Sequence, residues 1–254
     1  MPLSETPMAA RFSLAKGKAA VSGFETTRWS LIIETRHDDA AARWALEELC
    51  RRYRGPVLGY LRAHGYPKEE ADDQTQAFFA HLLSQKLHHS ADPAKGRFRS
   101  YLLMSLQHFL SSERRRERAE KRGGLVEHVG LDSVAEPVSA DTPELAFERE
   151  WARSLLAHAL HRLREEARQA GKETLFQALR NYLFESPGAE DYAETSRSLG
   201  LSRNTVAVAV HRLRHRLQEL VQQEVACTLA DETQLPEELA SLQDRIKLGP
   251  TAPL

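Results

Sequence analysis

Apolar residues recur every three or four positions along most of the chain, which is the spacing of one face of an α-helix. The first such stripe begins at Trp29 and continues through Tyr53 into a helix that Gly65 ends. Gly55 and Pro56 fall within this stripe, and we expect a bend there. No stretch of useful length alternates apolar and polar residues as a half-buried strand does. The pattern therefore predicts an all-α fold.

Turn and cap residues divide the rest of the chain into further helices. Pro67 is expected to open the next helix, whose Phe78 side is expected to be buried. A loop is expected over residues 88–96, and a long helix over about residues 99–122, packed in its first half and almost wholly charged in its second. The later helices are expected at about residues 143–170, 175–183, 192–199, 202–227 and 236–247.

Residues 123–142 separate these helices into two groups. They contain Gly, Pro, Ser and Asp without sustained periodicity, which is the composition of a linker. We therefore expect two small helical domains. The expected division is a mobile extension at residues 1–24, a first domain at 25–122, the linker at 123–142, a second domain at 143–228, and a tail with a short helix at 229–254.

The segment at residues 192–202 predicts that the second domain contains a helix-turn-helix. Gly200 suits a tight left-handed turn, and Ser202 can accept hydrogen bonds from the first free amides of the next helix. Such a turn directs the start of the second helix into a DNA major groove, and its first turn can reach base edges while later basic residues suit phosphate contact. An ordinary helical hairpin with an Arg-rich exposed edge is the alternative. The candidate DNA-contacting residues are Ser202, Arg203, Asn204, Thr205, Ala207, Val208, His211, Arg212, Arg214 and Arg216.

Charge is segregated along the chain, although the net charge is only −1. Residues 95–122 carry nine Lys or Arg against three Glu, and residues 203–216 carry four Arg and no acid. Two separated basic segments in a nearly neutral chain favour two contacts with one polyanion. A solvated helix face is the alternative interpretation of either segment.

Composition narrows the class of protein. Hydrophobic residues make up 41% and charged residues 28%, as in soluble globular proteins. Cys50 and Cys227 are too few for a disulfide framework and form no CxxC pair, so we expect a cytoplasmic protein without a structural metal. No segment has the length of a signal peptide or a membrane span. An enzyme and a cofactor are not expected, since no Gly-rich phosphate loop, HExxH motif or nucleophile–base constellation is found.

Three motifs follow one another along the chain. Residues 70–79 (EADDQTQAFF) place acids ahead of Gln76 and Phe78. Residues 96–103 (GRFRSYLL) lead to a basic run at 113–116, and the expected helix-turn-helix comes last. In this order they resemble, respectively, the polymerase-binding helix, the promoter-melting helix and the −35-reading domain of the extracytoplasmic-function branch of the sigma-70 family. The resemblance spans about residues 27–242, and the order is more specific than any single motif.

The resemblance implies partners and a set of polymerase-binding residues. The implied partners are core RNA polymerase, through its β′ clamp helices and β flap, and promoter DNA, with an anti-sigma factor as a further candidate and no membrane. The residues implied to bind polymerase are Asp72, Asp73, Gln76 and Phe79. Asp73 and Gln76 are three apart and so share one helix face. Gln74 departs from the family pattern, in which this position is usually apolar.

The resemblance also implies residues that would contact and melt the −10 element. They are Lys95, Arg97, Phe98, Arg99, Tyr101, Gln107, His108, Arg114, Arg115, Arg116 and Arg118. Tyr101 stands where many relatives have a Trp wedge, whereas core packing is the favoured interpretation of Phe98. Residues 207–209 (AVA) stand where relatives often have basic or polar residues, so −35 contact would depend on the first turn of the helix.

The function expected is that of a sigma factor that directs core RNA polymerase to promoters. A stand-alone helix-turn-helix regulator explains residues 192–227 but leaves the motif at residues 70–79 without a role. An RNA-binding or adaptor protein uses the basic segments but not the helix-turn-helix.

Overall fold

The computed structural model describes residues 28–37, 39–122, 142–185 and 188–246. Over these ranges the chain is helical and contains no strand, which confirms the predicted all-α fold. The α-helices of the described ranges are α1 (Arg28–Glu34), α2 (Ala40–Ala63), α3 (Lys68–Ser84), α4 (Phe98–Arg122), α5 (Pro143–Gln169), α6 (Glu173–Leu179), α7 (Ala189–Leu199), α8 (Arg203–Ala226) and α9 (Leu235–Ile246). The expected extension at residues 1–24, residues 123–141 of the expected linker and residues 247–254 of the tail lie outside the described ranges.

One local feature differs from the sequence prediction. The segment expected to be a loop at residues 88–96 contains two short 3-10 helices, Leu87–Ser90 and Pro93–Lys95. Asp92 caps the second one, because its side chain accepts a hydrogen bond of 2.9 Å from the Ala94 amide. Helix α2 continues without a break through Pro56, whose ring is buried in the packed face of the helix. Tertiary packing therefore offsets the hydrogen bond that a proline removes from a helix.

Helices α2 and α5 pack closely on each other at a pair of glycines. Gly55 and Gly59 are four residues apart and so lie on the same face of α2. A Cβ atom added at Gly59 would lie 2.7 Å from Cγ of Glu150 and 3.4 Å from the carbonyl oxygen of Ala146, both on α5. A Cβ atom at Gly55 would meet only Oγ of Ser154, at 3.5 Å. The backbones thus approach as closely as they do because position 59 has no side chain.

One hydrophobic core includes residues from both halves of the chain. Phe78 and Phe98 from the first half belong to the same buried cluster as Trp151 and Leu220 from the second. A second, smaller cluster of Leu179 with two valines of α8 lies between α6, α7 and α8. The structure does not confirm the expected division into two domains, because the described helices of the two halves bury their apolar faces against each other.

A buried group of charges also joins the halves. Glu224 of α8 is 6% exposed and lies 3.0 Å from Arg162 of α5 and 3.3 Å from Arg52 of α2. Arg52 also lies 3.0 Å from the Nε2 atom of His158. A buried carboxylate needs such partners, and Glu224 draws them from two other helices, α2 and α5.

None of the described helices has the length and apolar content needed to cross a membrane.

Candidate nucleic-acid interface

One face of α3 carries an exposed acidic and polar stripe. Glu69, Asp73 and Gln76 follow one another at helical spacing, and all three are exposed. On the buried face Phe78 contacts Phe109 of α4, with ring centroids 5.7 Å apart. Asp73 and Gln76 therefore share an exposed face, as their spacing predicts, and this face suits a basic partner.

Two other residues implied to bind polymerase lie elsewhere. Phe79 is 8% exposed, and its ring centroid is 5.5 Å from that of Phe78. It packs beneath the stripe and is not part of the exposed surface. Asp72 accepts a hydrogen bond of 2.6 Å from Arg54 of α2. Gln74 is half-buried, and its Oε1 atom has no hydrogen-bond partner within the described part of the chain.

The second half of α4 presents the exposed part of the first basic segment. Arg115 and Arg118 are exposed, and Arg116 is exposed beside Glu113, 2.9 Å away. Arg114 is also exposed and contacts Nε2 of His64, the residue that follows α2. Burial and the Arg114 guanidinium together lower the pKa of His64, so its imidazole stays neutral beside the cation. These guanidinium groups can contact a phosphate backbone without rearrangement of the fold.

The two aromatic candidates at the start of α4 are held in place by packing. Phe98 is 3% exposed and makes edge-to-face contacts with Trp29 and Tyr53, at centroid distances of 6.0 and 5.4 Å. Its role is core packing, the favoured interpretation of the sequence. Tyr101 is half-buried, and its hydroxyl donates a hydrogen bond of 2.6 Å to the carbonyl of Leu87. A wedge role for Tyr101 would require this hydrogen bond to break.

Arg97 and Arg99 contact acids of the second half of the chain, and Arg99 is buried. Arg99 is 2% exposed, and its Nε atom donates to the carboxylate of Glu148 at 3.0 Å. Its guanidinium also lies 4.1 Å from the centre of the Trp151 ring. Arg97 is one-third exposed and lies 2.8 Å from Glu238 of α9. Acids of the second half occupy both guanidinium groups in this conformation, and the DNA contacts of Arg97 and Arg99 stay predictions. Lys95 is exposed beside them.

Gln107 and His108 also differ in exposure. Gln107 is half-buried and donates a hydrogen bond of 3.1 Å to Glu144 at the start of α5. His108 and the neighbouring Met104 are exposed on the free side of α4. Of the two polar candidates, only His108 is open to a ligand in this conformation.

The connection between α7 and α8 has the predicted turn chemistry. Gly200 adopts the left-handed conformation, with φ 64° and ψ 25°, and follows the last residue of α7. Ser202 caps α8, because its hydroxyl accepts a hydrogen bond of 3.1 Å from the Thr205 amide. The hydroxyl of Ser196 donates to the carbonyl of Leu201 and ties the turn back to α7. The roles predicted for Gly200 and Ser202 in the backbone are confirmed.

An exposed stripe runs along α8 from its first turn. It contains Asn204, Val208, His211 and Arg212, and Arg203 is exposed beside it. Val208 is 41% exposed although it is apolar. The stripe borders a groove between α8 and helices α5 and α6. Polar, apolar and cationic side chains thus follow one another along one accessible side of the helix.

Two arginines of α8 have structural partners instead. The Nε and Nη2 atoms of Arg214 donate to the carbonyls of Tyr182 and Glu185, at 2.8 and 2.6 Å. Arg216 forms two hydrogen bonds of 2.8 Å with Glu166 of α5, and these raise the pKa of the guanidinium above its ordinary value. These contacts hold α8 against the preceding segments of the chain, and the phosphate contacts of Arg214 and Arg216 stay predictions.

The acids that contact Arg97 and Arg99 could not be identified from the sequence. Glu148 and Glu238 lie in amphipathic helices whose apolar positions were recognised, but neither belongs to a motif. Helix α9 begins with two acids, which is the ordinary preference of a helix N-terminus and gives no hint of a distant partner.

Comparison of the chain with protein-family models, with curated proteins and with solved structures finds no match. Within the described residues, no three or more His, Cys, Asp or Glu side chains are grouped so that they could hold a metal ion.

Proposed function

We propose that the protein is a sigma factor that binds bacterial core RNA polymerase and directs it to promoters with paired −35 and −10 elements. The observation that carries the proposal is the order of three accessible surfaces along the chain. They are the acidic stripe of α3, the basic second half of α4 and the exposed start of α8. The motifs that resemble the sigma-70 family occur in the same order, and each overlaps one of these surfaces.

The acidic stripe would serve as the polymerase-docking surface. Asp73 and Gln76 project from a helix whose other face is anchored in the core by Phe78, so the stripe is rigid. A rigid acidic surface fits a basic helical partner, and the clamp helices of β′ are the partner that the family resemblance implies.

The two basic surfaces would divide the contact with promoter DNA. Arg115 and Arg118 on α4 suit the backbone near the −10 element, where charge neutralisation supplies affinity. Arg203 and Asn204 at the start of α8 suit base edges of the −35 element, because Arg pairs well with guanine and Asn with adenine. The cap at Ser202 and the turn at Gly200 would direct this first turn into a major groove.

The test is transcription by purified core RNA polymerase on a library of promoter fragments from the host. Addition of the protein should start transcripts at a distinct set of fragments that share two separated elements. No promoter-dependent initiation, together with no binding to core enzyme, would overturn the proposal.

A second candidate is a stand-alone transcriptional regulator that binds an operator through α8 alone. It is favoured by the shared core, because a protein that reads only one DNA element has no need to separate its halves. The two candidates differ in their response to core polymerase. A regulator would recognise its DNA site equally well without polymerase, whereas a sigma factor should gain promoter recognition when core enzyme is added.

A further inference from the structure

The guanidinium groups of Arg97 and Arg99 bind two carboxylates of the second half of the chain. Glu238 of α9 is fully buried and lies 2.8 Å from Arg97 and 2.5 Å from Arg99. Glu148 of α5 lies 3.0 Å from Arg99 and 2.6 Å from Arg245 of α9. We call these five side chains the Arg99 cluster. It joins α4 of the first half to α5 and α9 of the second.

The Arg99 cluster is poorly suited to a purely stabilising role. Burial of charges costs free energy that their attraction often only just offsets, so apolar residues can serve at least as well. Neither carboxylate oxygen of Glu238 has an aligned hydrogen-bond donor within the described part of the chain, so its contacts are ion pairs without directed hydrogen bonds. Three arginines face two carboxylates, which leaves one positive charge in excess. An excess positive charge favours the binding of an additional anion, or of an anion that accepts directed hydrogen bonds from the arginines.

Helix α9 is held by few buried side chains. Leu242 and Glu238 are fully buried, whereas Leu235 and Leu239 are partly buried and Glu237 is exposed. The helix has 12 residues and packs on α5 and α8. Short terminal helices with few buried contacts are among the elements that open before the rest of a fold.

Closure of the two halves is also incompatible with simultaneous contact at both promoter elements. A compact chain of this length has a radius of gyration of roughly 18 Å. Elements centred near −35 and −10 lie about 25 base pairs apart, which is about 85 Å of B-form DNA. The halves must separate before both elements are bound, and the Arg99 cluster lies in the contact that would have to break.

We propose that α9 is an intramolecular competitor of the DNA backbone, in which the Glu238 carboxylate, together with Glu148, occupies the positions of DNA phosphates at Arg97 and Arg99. The inference rests on the proposed function, since it takes the ligand to be promoter DNA. Phosphate oxygens pair with arginine guanidinium groups as carboxylates do, and they can in addition accept the directed, forked hydrogen bonds that Glu238 lacks here. In the closed form, DNA reaches only the exposed cations, and release of α9 adds Arg97 and Arg99 to the contact.

The test compares two substitutions in neighbouring residues of the full-length protein. Glu238→Gln removes the buried carboxylate charge, and Glu237→Gln makes the same charge change at an exposed position of the same helical turn. Binding to a fluorescein-labelled DNA duplex of mixed sequence is followed by fluorescence anisotropy over a range of salt concentrations. Glu238→Gln should bind about tenfold more tightly than Glu237→Gln at low salt.

The salt dependence separates a new phosphate contact from a general change of charge. Two added phosphate contacts should steepen the slope of log K against log salt by about 1.8 in Glu238→Gln, and the slope of Glu237→Gln should match that of the wild type. Equal affinities and equal slopes for the two variants would overturn the proposal. An increase in affinity that both variants share would overturn it as well.

Hydrogen exchange in the unaltered protein gives a second readout that needs no variant. Addition of the same duplex should accelerate exchange of the α9 amides. The α5 amides that pack on α2 should remain slow. Unchanged protection of α9 at saturating DNA would contradict competition. These results are independent of the proposed function. A DNA-binding regulator could show both the tighter binding of Glu238→Gln and the faster exchange of α9 without supporting transcription by core polymerase.

Discussion

Arg203 is the exposed side chain at the start of α8 that is best suited to read a base edge. Replacement with alanine removes a bidentate partner of guanine, so Arg203→Ala should lose about 1–3 kcal/mol of discrimination at one base pair and relax the −35 preference. Selection of bound sequences from a randomised duplex pool by wild type and variant measures this change.

Arg115→Ala is the matched control for Arg203→Ala. Arg115 is exposed on α4 and suited to phosphate, so its loss should weaken binding to all sequences and reduce the salt slope by about 0.9. A change in sequence preference in Arg115→Ala, or none in Arg203→Ala, would contradict the division between backbone and base contacts.

Arg214 tests whether a basic residue of α8 supports the fold instead of binding DNA. Its guanidinium donates to two backbone carbonyls, those of Tyr182 and Glu185. Arg214→Ala leaves both without this donor and should lower the free energy of unfolding by about 1–3 kcal/mol. Urea denaturation measures the effect, and Arg203→Ala, a change in an exposed arginine of the same helix, should alter stability by less than about 0.5 kcal/mol. Equal stability of the two variants would show that the inward contacts of Arg214 contribute nothing.

Residue types could be predicted from the sequence better than their exposure. The motif and the charge at Arg97 and Arg99 were recognised, but a run of basic residues does not reveal which of them meet an acid from a distant helix. Arg115 stayed exposed because the second half of α4 has no apolar face to bury. Arg99 became buried because α5 and α9 supply Glu148 and Glu238 at positions that no local pattern indicates.

The buried His88, in the short 3-10 helix Leu87–Ser90, is expected to make the stability of the protein depend on pH. Burial first, and then the neighbouring His89, lower the pKa of His88, and Arg36, in the turn after α1, acts in the same direction. The unfolded chain takes up a proton near pH 6.5, whereas the folded protein resists protonation. The stabilising contribution is therefore complete above about pH 6.5 and is lost as the pH falls below it, with a slope of at most about 1.4 kcal/mol per pH unit.

Denaturation of wild type and His88→Gln between pH 7.5 and 5 measures this contribution, with these pH limits chosen to bracket the ordinary histidine pKa of about 6.5. The variant should lose less stability than the wild type as the pH falls. His108→Gln is the control, because His108 is exposed on α4. Parallel pH profiles for wild type and His88→Gln would rule out His88 as the source of the acid sensitivity.

Among the features of the helices, the residues that start and end them could be predicted best from the sequence. The cap at Ser202 and the left-handed Gly200 can be predicted because each depends only on residues nearby in the sequence. Ser202 accepts a hydrogen bond from a free amide of α8, and Gly200 adopts a conformation that other residues avoid. Helix α2 continues through Pro56, because buried neighbours on both sides of the proline stabilise the helix. The two 3-10 helices after α3 have no apolar repeat that could have distinguished them from a loop.

Packing of α2 on α5 governs the shape of the whole molecule. Gly59→Leu places a side chain where α5 already lies within 2.7 Å of an added Cβ atom, so the two halves should separate. The radius of gyration from small-angle X-ray scattering should rise above the roughly 18 Å expected of a compact chain of this length.

A paired comparison within α2 controls for the change of glycine itself. Gly55→Ala adds a methyl group at ordinary contact distance, so it should keep or raise the stability, by up to about 1 kcal/mol from helix propensity. Gly59→Ala makes the same change in the tighter position and should be about 1–3 kcal/mol less stable than Gly55→Ala. Equal stability of these variants, or a compact Gly59→Leu protein, would contradict the role assigned to position 59.

The arrangement of the two halves was the part of the fold least accessible to sequence reasoning. Each helix shows its own apolar face, but the pattern does not say which other helix covers it. The expected separation at residues 123–142 rested on composition, whereas the shared core depends on the fit of glycines on α2 to α5 and on charges spread over α2, α5 and α8.

The central claim is that the protein delivers core RNA polymerase to promoters through the acidic stripe of α3. Asp73→Lys reverses a charge in that stripe, and Glu47→Lys makes the same change at an exposed position of α2. The most direct measurement is promoter-dependent transcription by core polymerase with each protein, with binding to duplex DNA measured in parallel. We predict that Asp73→Lys abolishes initiation and binding to core while it still binds DNA, and that Glu47→Lys supports initiation as the wild type does. Full initiation with Asp73→Lys, or no initiation with the wild-type protein, would contradict the account.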